Sequence, residues 1–369
     1  MHTATETAVI TETFDLKKRF TLSRPGEKRK QSLPKLALVA GLLACLAPFS
    51  AHAAKSTPSA PPFSAHPEVP AFIEAMHEEY GFDVAHLTRQ FASIRSNPTV
   101  LRLIRPAAVP EQQRSWERYR ARFINDRRIT NGLVFWQENG AELTRAEAIY
   151  DVPQEIIVAI IGVETEYGQN MGQFGVLEAL ATLAFDYPPR APFFRKELEQ
   201  FLLMARENGV SPLTIKGSYA GAIGIPQFMP SSQRQFAVDF DRDDRIDLRE
   251  STVDAIGSVA RFLNMHGWQP KAPIAVPATV TGDPTELIAA GIKPVQPLYA
   301  LAQQGVVAEG DADRPAALID LVSPGQATEY WAGFDNFFVI TRYNRSSFYA
   351  MSVFQLAEAL RASREIAQE

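Results

Sequence analysis

An apolar run, Ile156, Ile157, Ile160, Ile161 and Val163, ends in two carboxylates, Glu164 and Glu166. Successive residues of a helix lie about 100° apart, so side chains two places apart point to nearly opposite sides and cannot serve one cleft. A carboxyl at the end of an apolar helix is partly desolvated, which favours its protonated form and suits a general acid near neutral pH. The same position also fits a solvated or salt-bridged glutamate, and this helix by itself leaves both readings open.

A second stretch, Lys216-Gly217-Ser218-Tyr219-Ala220-Gly221-Ala222-Ile223-Gly224-Ile225-Pro226-Gln227-Phe228-Met229-Pro230, sets glycines among small residues. Backbone there can approach a ligand closely, while Ser218, Gln227 and Tyr219 offer hydrogen bonds and an aromatic face, as a sugar cleft requires. A Gly-rich structural loop has the same composition. The third feature is acidic, running from Asp239 to Glu250. It places oxygen ligands at positions 1, 3, 5, 9 and 12 and a backbone carbonyl at 7, as an EF-hand calcium loop does. Position 6, normally glycine, is Asp244, which must take a left-handed backbone or make another turn. No pair of histidines has zinc-ligand spacing, and no Gly-x-Ser-x-Gly elbow, P-loop or dinucleotide fingerprint occurs, so metallohydrolase, serine hydrolase and nucleotide-enzyme readings lack support.

The elements that must position these residues read as helices. Apolar residues recur at helical spacing from Ala71 to about Leu103, Gln112 to Phe123, Thr144 to Tyr150, Pro153 to about Tyr167, Arg195 to Asn208, Thr252 to His266 and Tyr349 to Ala362. Gly267 is placed to cap one of them. Between 273 and 322 the texture changes to short segments such as Ile274–Val276 and Ala278–Val280 among prolines and glycines, a small insertion with short strands. No solenoid or propeller repeat is present. With 369 residues, 46% hydrophobic, the chain can bury a full core. Its net charge of -5 and the lack of a basic, aromatic-interleaved patch in the folded part argue against nucleic acid as a partner.

Basic residues crowd the first thirty-five positions instead, followed by the apolar run Leu36–Leu46 and by Ala51-His52-Ala53. Residues 1–54 thus carry the three parts of an export signal or anchor, and residues 55–69, rich in proline, read as a tether without a packed core. The single cysteine, Cys45, lies in this segment, so a cleaved chain would hold no disulfide. Leu42-Leu43-Ala44-Cys45 also resembles a lipobox, which would make the protein an outer-membrane lipoprotein instead of a freely periplasmic one.

Taken in order, Gly162-Val163-Glu164-Thr165-Glu166-Tyr167-Gly168, the Gly217–Ser232 stretch, the acidic loop, Val253-Asp254-Ala255-Ile256-Gly257 and Ile340-Thr341-Arg342-Tyr343-Asn344 resemble the lytic murein transglycosylase B family from about Pro70 to the C-terminus. The resemblance implies a mainly α, α+β fold: a lysozyme-like helical catalytic region spanning 70–369 with a deep cleft, an EF-hand-like loop and the small insertion. It implies cleavage of the bond between N-acetylmuramic acid and N-acetylglucosamine without water, leaving 1,6-anhydromuramic acid ends. Glu164 falls on the family's single acid/base, and a substrate acetamido group would replace the second carboxylate that most glycosidases use. Ser218, Gln227, Tyr343, Asn344 and Tyr349, with Tyr119 and Arg190, fall on cleft positions; Pro189 stands where the family often has a further arginine. Structural calcium would be held by Asp239, Asp241, Asp243 and the Arg245 carbonyl. Asp254 would close the site, with Glu250 competing, and no organic cofactor is expected. Peptidoglycan strands would be the partner of a monomeric enzyme. The rival readings are a hydrolytic muramidase and a calcium-dependent peptidoglycan-binding protein without turnover.

Overall fold

The computed structural model describes residues 60–106 and 114–368. Residues 1–54, and with them the export segment and Cys45, lie outside the described residues. Among the described residues the α-helices come first: α1 (Val69–Tyr80), α2 (Val84–Ser93), α3 (Pro98–Ile104), α4 (Trp116–Phe123), α5 (Asp126–Glu138), α6 (Gly140–Tyr150) and α7 (Gln154–Thr165). A two-residue strand β1 (Phe174–Gly175) precedes α8 (Val176–Phe185) and α9 (Ala191–Glu207), and β2 (Lys216–Gly217) pairs back on β1. Then come α10 (Pro230–Phe236) and α11 (Thr252–Met265). A sheet region contains β3 (Ala275–Val280), α12 (Thr285–Ala289), β4 (Gln296–Pro297), α13 (Leu298–Gln303), β5 (Val306–Ala308), β6 (Pro315–Leu321) and β7 (Glu329–Gly333). The chain closes with α14 (Asp335–Tyr343) and α15 (Ser347–Gln368).

Local chemistry explains the breaks. The helical stretch expected from Ala71 to Leu103 is three helices, because Gly81 turns the chain at φ +69° after α1 and Asn97 caps α3 ahead of Pro98. Asp83, Ser115, Asn125 and Ser251 each accept a backbone N–H at the start of a helix, the role of short polar side chains at an N-cap. Residues 62–69, expected to belong to an unpacked tether, are instead tied down. Phe63 is buried, its N–H donates to Ile94 O at 3.0 Å, and its ring meets Phe185. Val69 is buried too, and the His66 ring packs on Phe63 and Phe185, so aromatic contacts and a backbone partner dock this proline-rich segment.

Three apolar clusters organise the fold. One joins α1, α2, α8 and α9; the second, around α7, α11 and α15, contains the run Ile156–Ile161; the third lies between the sheet and its helices α12 and α13. The sheet is antiparallel, in the order β4-β6-β7-β3-β5, so it extends past residue 322 to Gly333. β6 pairs Ile319 with Trp331 and β3 pairs Ala278 with Tyr330. The Gly-rich stretch sends Ile223 into the first cluster and Ile225 and Phe228 into the second, so it runs from one to the other.

Candidate active site

Every residue of α7 from Ile156 to Val163 is buried, and the helix ends where the chain turns left-handed at Glu166 (φ +52°) and Tyr167 (φ +61°). That turn separates the two glutamates. Glu166 points to Arg127, 2.8 Å away, with Arg128 behind it, and accepts from Asn170; it is the ion-paired residue at a helix end. Tyr167 folds under the helix into a slot left by two glycines. A Cβ on Gly162 would stand 2.6 Å from its hydroxyl, and one on Gly132 would stand 2.3 Å away. The Tyr167 hydroxyl donates to Arg128 O at 2.9 Å. Substituting either glycine would push Tyr167 out and with it the end of the helix that carries Glu164.

Glu164 keeps part of its surface open while its surroundings are apolar. Burial pushes its carboxyl up to about 7, against the Tyr349 hydroxyl, which donates to Oε1 at 2.6 Å and pulls the other way. A carboxyl with that proton affinity is protonated often enough near neutral pH to donate and ionised often enough to accept. Tyr343 lies parallel to Tyr349, centroids 6.3 Å apart, and its hydroxyl donates to Pro226 O at 2.6 Å. Tyr119 stands close enough for the charge of Glu164 to disfavour its ionisation, although burial is the larger cause. Its ring meets Phe123 and Phe348.

The polar residues of the Gly-rich stretch sit in tight turns. Ser218 exchanges bonds with Ala222: its N–H donates to Ala222 O at 2.9 Å and its hydroxyl accepts the Ala222 N–H at 3.0 Å. Gln227 holds φ +51°, and its amide donates to Gly224 O at 2.8 Å and Met171 O at 3.2 Å. Thr165, fully buried beside Glu164, ties this stretch to α7: its hydroxyl donates to Ile225 O at 2.8 Å and accepts the Gly168 N–H at 2.9 Å. The structure therefore joins Glu164, Tyr349, Tyr343 and Tyr119 in one group, with Gln227 and Ser218 on the strand-like turn tethered to it. Asn344 is exposed just after Tyr343. Arg190 is exposed at the start of α9, its guanidinium stacked over Phe193 and Phe194, and no described contact joins it to the Glu164 group. Sequence reading passed over Thr165, although a polar residue inside an otherwise apolar helix asks for a partner.

The acidic loop folds around its own carboxylates. Asp239 accepts the N–H groups of Arg242, Asp243 and Asp244; Asp243 accepts that of Arg245; Asp241 accepts the Ser251 hydroxyl at 2.7 Å. Asp244 takes the left-handed backbone that glycine usually supplies, φ +67°. Asp254, buried on the first turn of α11, reaches back so that one oxygen accepts Phe240 N–H at 2.7 Å and the other Asp247 N–H at 2.8 Å. Burial raises its proton affinity, partly offset by those N–H donors. One oxygen each from Asp239, Asp241 and Asp254 lies within 4.8 Å of the others, the span of ligands around a single calcium ion. Hard oxygen donors on a preformed loop fit calcium, and Asp254, not Glu250, belongs to the cluster. Asp243 is not one of those three carboxylates. The loop also supports the Gly-rich stretch: Ile225 N–H donates to Leu248 O at 2.8 Å, and Gly224 (φ +75°) passes so close that a Cβ would stand 2.3 Å from the same oxygen.

Known proteins resemble this chain in sequence and in fold. Residues 64–358 match the family model described as a transglycosylase SLT domain. The chain is 42% identical over 322 residues to the membrane-bound lytic murein transglycosylase B of Escherichia coli (strain K12), covering 82% of this chain and 85% of that one. The structure of the soluble lytic transglycosylase SltB1 from Pseudomonas aeruginosa superposes with a TM-score of 0.75 at 45% identity, over 81% of this chain and all of that one, 100%. That of Escherichia coli Slt35 in complex with calcium gives 0.73 at 41% identity, over 83% of this chain and 96% of that one. These likenesses carry the mainly helical, lysozyme-like fold class expected from the motifs. By both its sequence and its fold, the chain belongs to the transglycosylase SLT domain family.

Proposed function

We propose that this protein is a peptidoglycan lytic transglycosylase in which Glu164 alone serves as acid and then base. The observation that carries this is the setting of Glu164: a largely buried carboxyl whose proton affinity is raised by burial and lowered by the Tyr349 hydroxyl. Protonated Glu164 gives its proton to the glycosidic oxygen as the bond from N-acetylmuramic acid to N-acetylglucosamine breaks. The 2-acetamido group of the muramic acid stabilises the cationic centre, and ionised Glu164 then takes the proton of the C6 hydroxyl as it closes the 1,6-anhydro ring. Glu166 cannot act as a second catalytic carboxylate, because it faces Arg127 on the other side of the turn. The stacked tyrosines Tyr343 and Tyr349, with Tyr119, Ser218, Gln227 and Asn344, offer the faces and hydrogen bonds that hold sugar rings, and Arg190 lines the outer reach of the strand.

Asp239, Asp241, Asp243, the Arg245 carbonyl and Asp254 would hold calcium, which would stabilise the turn that carries Leu248 against Gly224 and Ile225. Export to the periplasm by residues 1–54, with or without lipid on Cys45, and action as a monomer complete the reading.

Mass spectrometry of muropeptides released from purified peptidoglycan tests it, with parent and Glu164→Gln side by side. Anhydro ends from the parent alone are expected; reducing ends would make the enzyme a hydrolase, and release by both proteins would remove Glu164 from its role. Because the folded carboxyl is held near 7 and an unfolded one near 4.5, the charge weakens the fold as pH rises between those values. The neutral variant should therefore be the more stable of the two above pH 7, by about 2 to 3 kcal/mol in denaturant unfolding, which also shows that lost activity is not lost fold.

A further inference from the structure

A cavity of about 640 Å³ opens where the end of α9, α10 and the acidic loop meet. None of Glu164, Tyr349, Tyr343 and Tyr119 lines it. Met204, Val210, Ile215, Ile223 and Leu248 make its wall apolar. Leu248 is the residue whose carbonyl holds Ile225, so the cavity adjoins the tie between the loop and the Gly-rich stretch. Cavities of roughly 300 to 1,000 Å³ with an apolar wall and a few polar groups are the size and kind that hold small molecules. The polar group here is Gln233 of α10. It is 7% exposed, it lines the cavity, and its Oε1 is buried without a partner among the described residues. A buried acceptor left unpaired is costly, and it marks a place where a donor belongs.

The charges on the rim say what kind of donor. Of its carboxylates, Glu207 is taken by Arg234 at 2.6 Å, Asp239 belongs to the oxygen cluster, and Asp247 accepts the N–H groups of Arg249 and Glu250. The two rim guanidiniums are engaged as well: Arg249 donates to Lys216 O at 2.6 Å, and Arg245 faces Asp247 at 4.0 Å. That leaves Asp244 and Glu250, the sixth and twelfth places of the loop, which line the cavity. Among the described residues no ion pair takes up either carboxylate. Two unpaired negative charges and a buried oxygen beside an apolar wall fit a ligand with N–H donors, a positive charge and an aliphatic body. An ammonium, a point charge with three donors, suits acceptors from separate segments better than the planar fork of a guanidinium. We infer that this cavity binds a small aliphatic amine, its carbon chain on the apolar wall and its ammonium toward Gln233, Asp244 and Glu250. The inference concerns binding alone and stands apart from the transglycosylase reading of Glu164.

Isothermal titration calorimetry with the whole protein in excess calcium tests it. The probes are hexylamine, hexanol as its uncharged counterpart, and lysine blocked at both ends as the same ammonium on a peptide backbone. Hexylamine should bind with a dissociation constant of about 1 mM or below, and hexanol about tenfold more weakly. Blocked lysine should also bind more weakly than hexylamine, because its backbone must stay outside; the reverse order would assign the cavity to a lysine side chain of a partner protein and overturn the small-amine reading. In an Asp244→Asn/Glu250→Gln double variant the affinity for hexylamine should fall about tenfold while that for hexanol holds. No heat from hexylamine, equal affinity for hexanol, or an unchanged affinity in the variant each overturns the inference. So does displacement of hexylamine by added calcium, which would put the ammonium on Asp239, Asp241 and Asp254 instead. Should the double variant fold poorly, Gln233→Leu decides, since it keeps the bulk of the side chain and removes the unpaired oxygen: hexylamine should weaken about fivefold, and an affinity as tight as the parent's would sink the proposal.

Discussion

At the scale of single residues, the chemistry turns on one hydrogen bond. Tyr349 donates to Glu164 across 185 positions of sequence and lowers a proton affinity that burial raises. In the proposed reaction Glu164 starts protonated, so kcat/KM should fall as pH rises through about 7. In Tyr349→Phe the donor is gone, the ionised form loses its partner, and the alkaline limb should move up by about one pH unit. A pH profile from about pH 5 to about pH 9 checks this, and a limb that stays where it was would show that Tyr349 does not set the carboxyl. Glu166 shows the opposite outcome of the same sequence motif. One residue beyond Thr165, it meets two arginines and becomes an anchor for the turn.

At the scale of elements, Glu164 is positioned by what its helix is fastened to. The apolar run of α7 is buried on all sides, and its last turn is closed below by Tyr167 in the Gly132–Gly162 slot and beside by Thr165 on Ile225. Thr165→Val keeps the shape of the side chain but leaves Ile225 O and Gly168 N–H without their partner. We expect a loss of about 2 to 3 kcal/mol in denaturant unfolding, together with lower kcat, because the Gly-rich stretch loses its tie to the catalytic helix. Unchanged kcat in a destabilised variant would show that the tie serves the fold alone. Not every element is readable from periodicity. α8 is buried on every face, so it does not show the two-sided pattern that marks a surface helix.

Over the whole molecule, the acidic loop links parts that are distant in sequence: Asp254 on α11, the loop itself, and the Gly-rich stretch through Leu248. Calcium at about a hundredfold excess over its dissociation constant should add about 2.7 kcal/mol to the folded state and raise the melting temperature by several degrees, an effect reversed by chelator. Asp254→Asn should abolish the calcium-dependent part of that shift. A melting curve indifferent to calcium in the parent would mean that the loop holds itself with its own N–H donors and needs no ion.

Much was decided by sequence alone. The position of Glu164 at the end of an apolar run, the alternating oxygens of Asp239–Glu250, the small-residue texture of Gly217–Gln227 and the helical periods around them are local properties, set by neighbours a few residues away. Tertiary structure alone decided that Glu166 pairs with Arg127 and Arg128, that Asp254 and not Glu250 joins the oxygen cluster, and that Phe63 docks a segment read as a free tether. Such pairings depend on packing between elements tens to hundreds of residues apart, where burial, excluded volume and the need to satisfy every buried polar atom choose among partners that local pattern leaves equivalent.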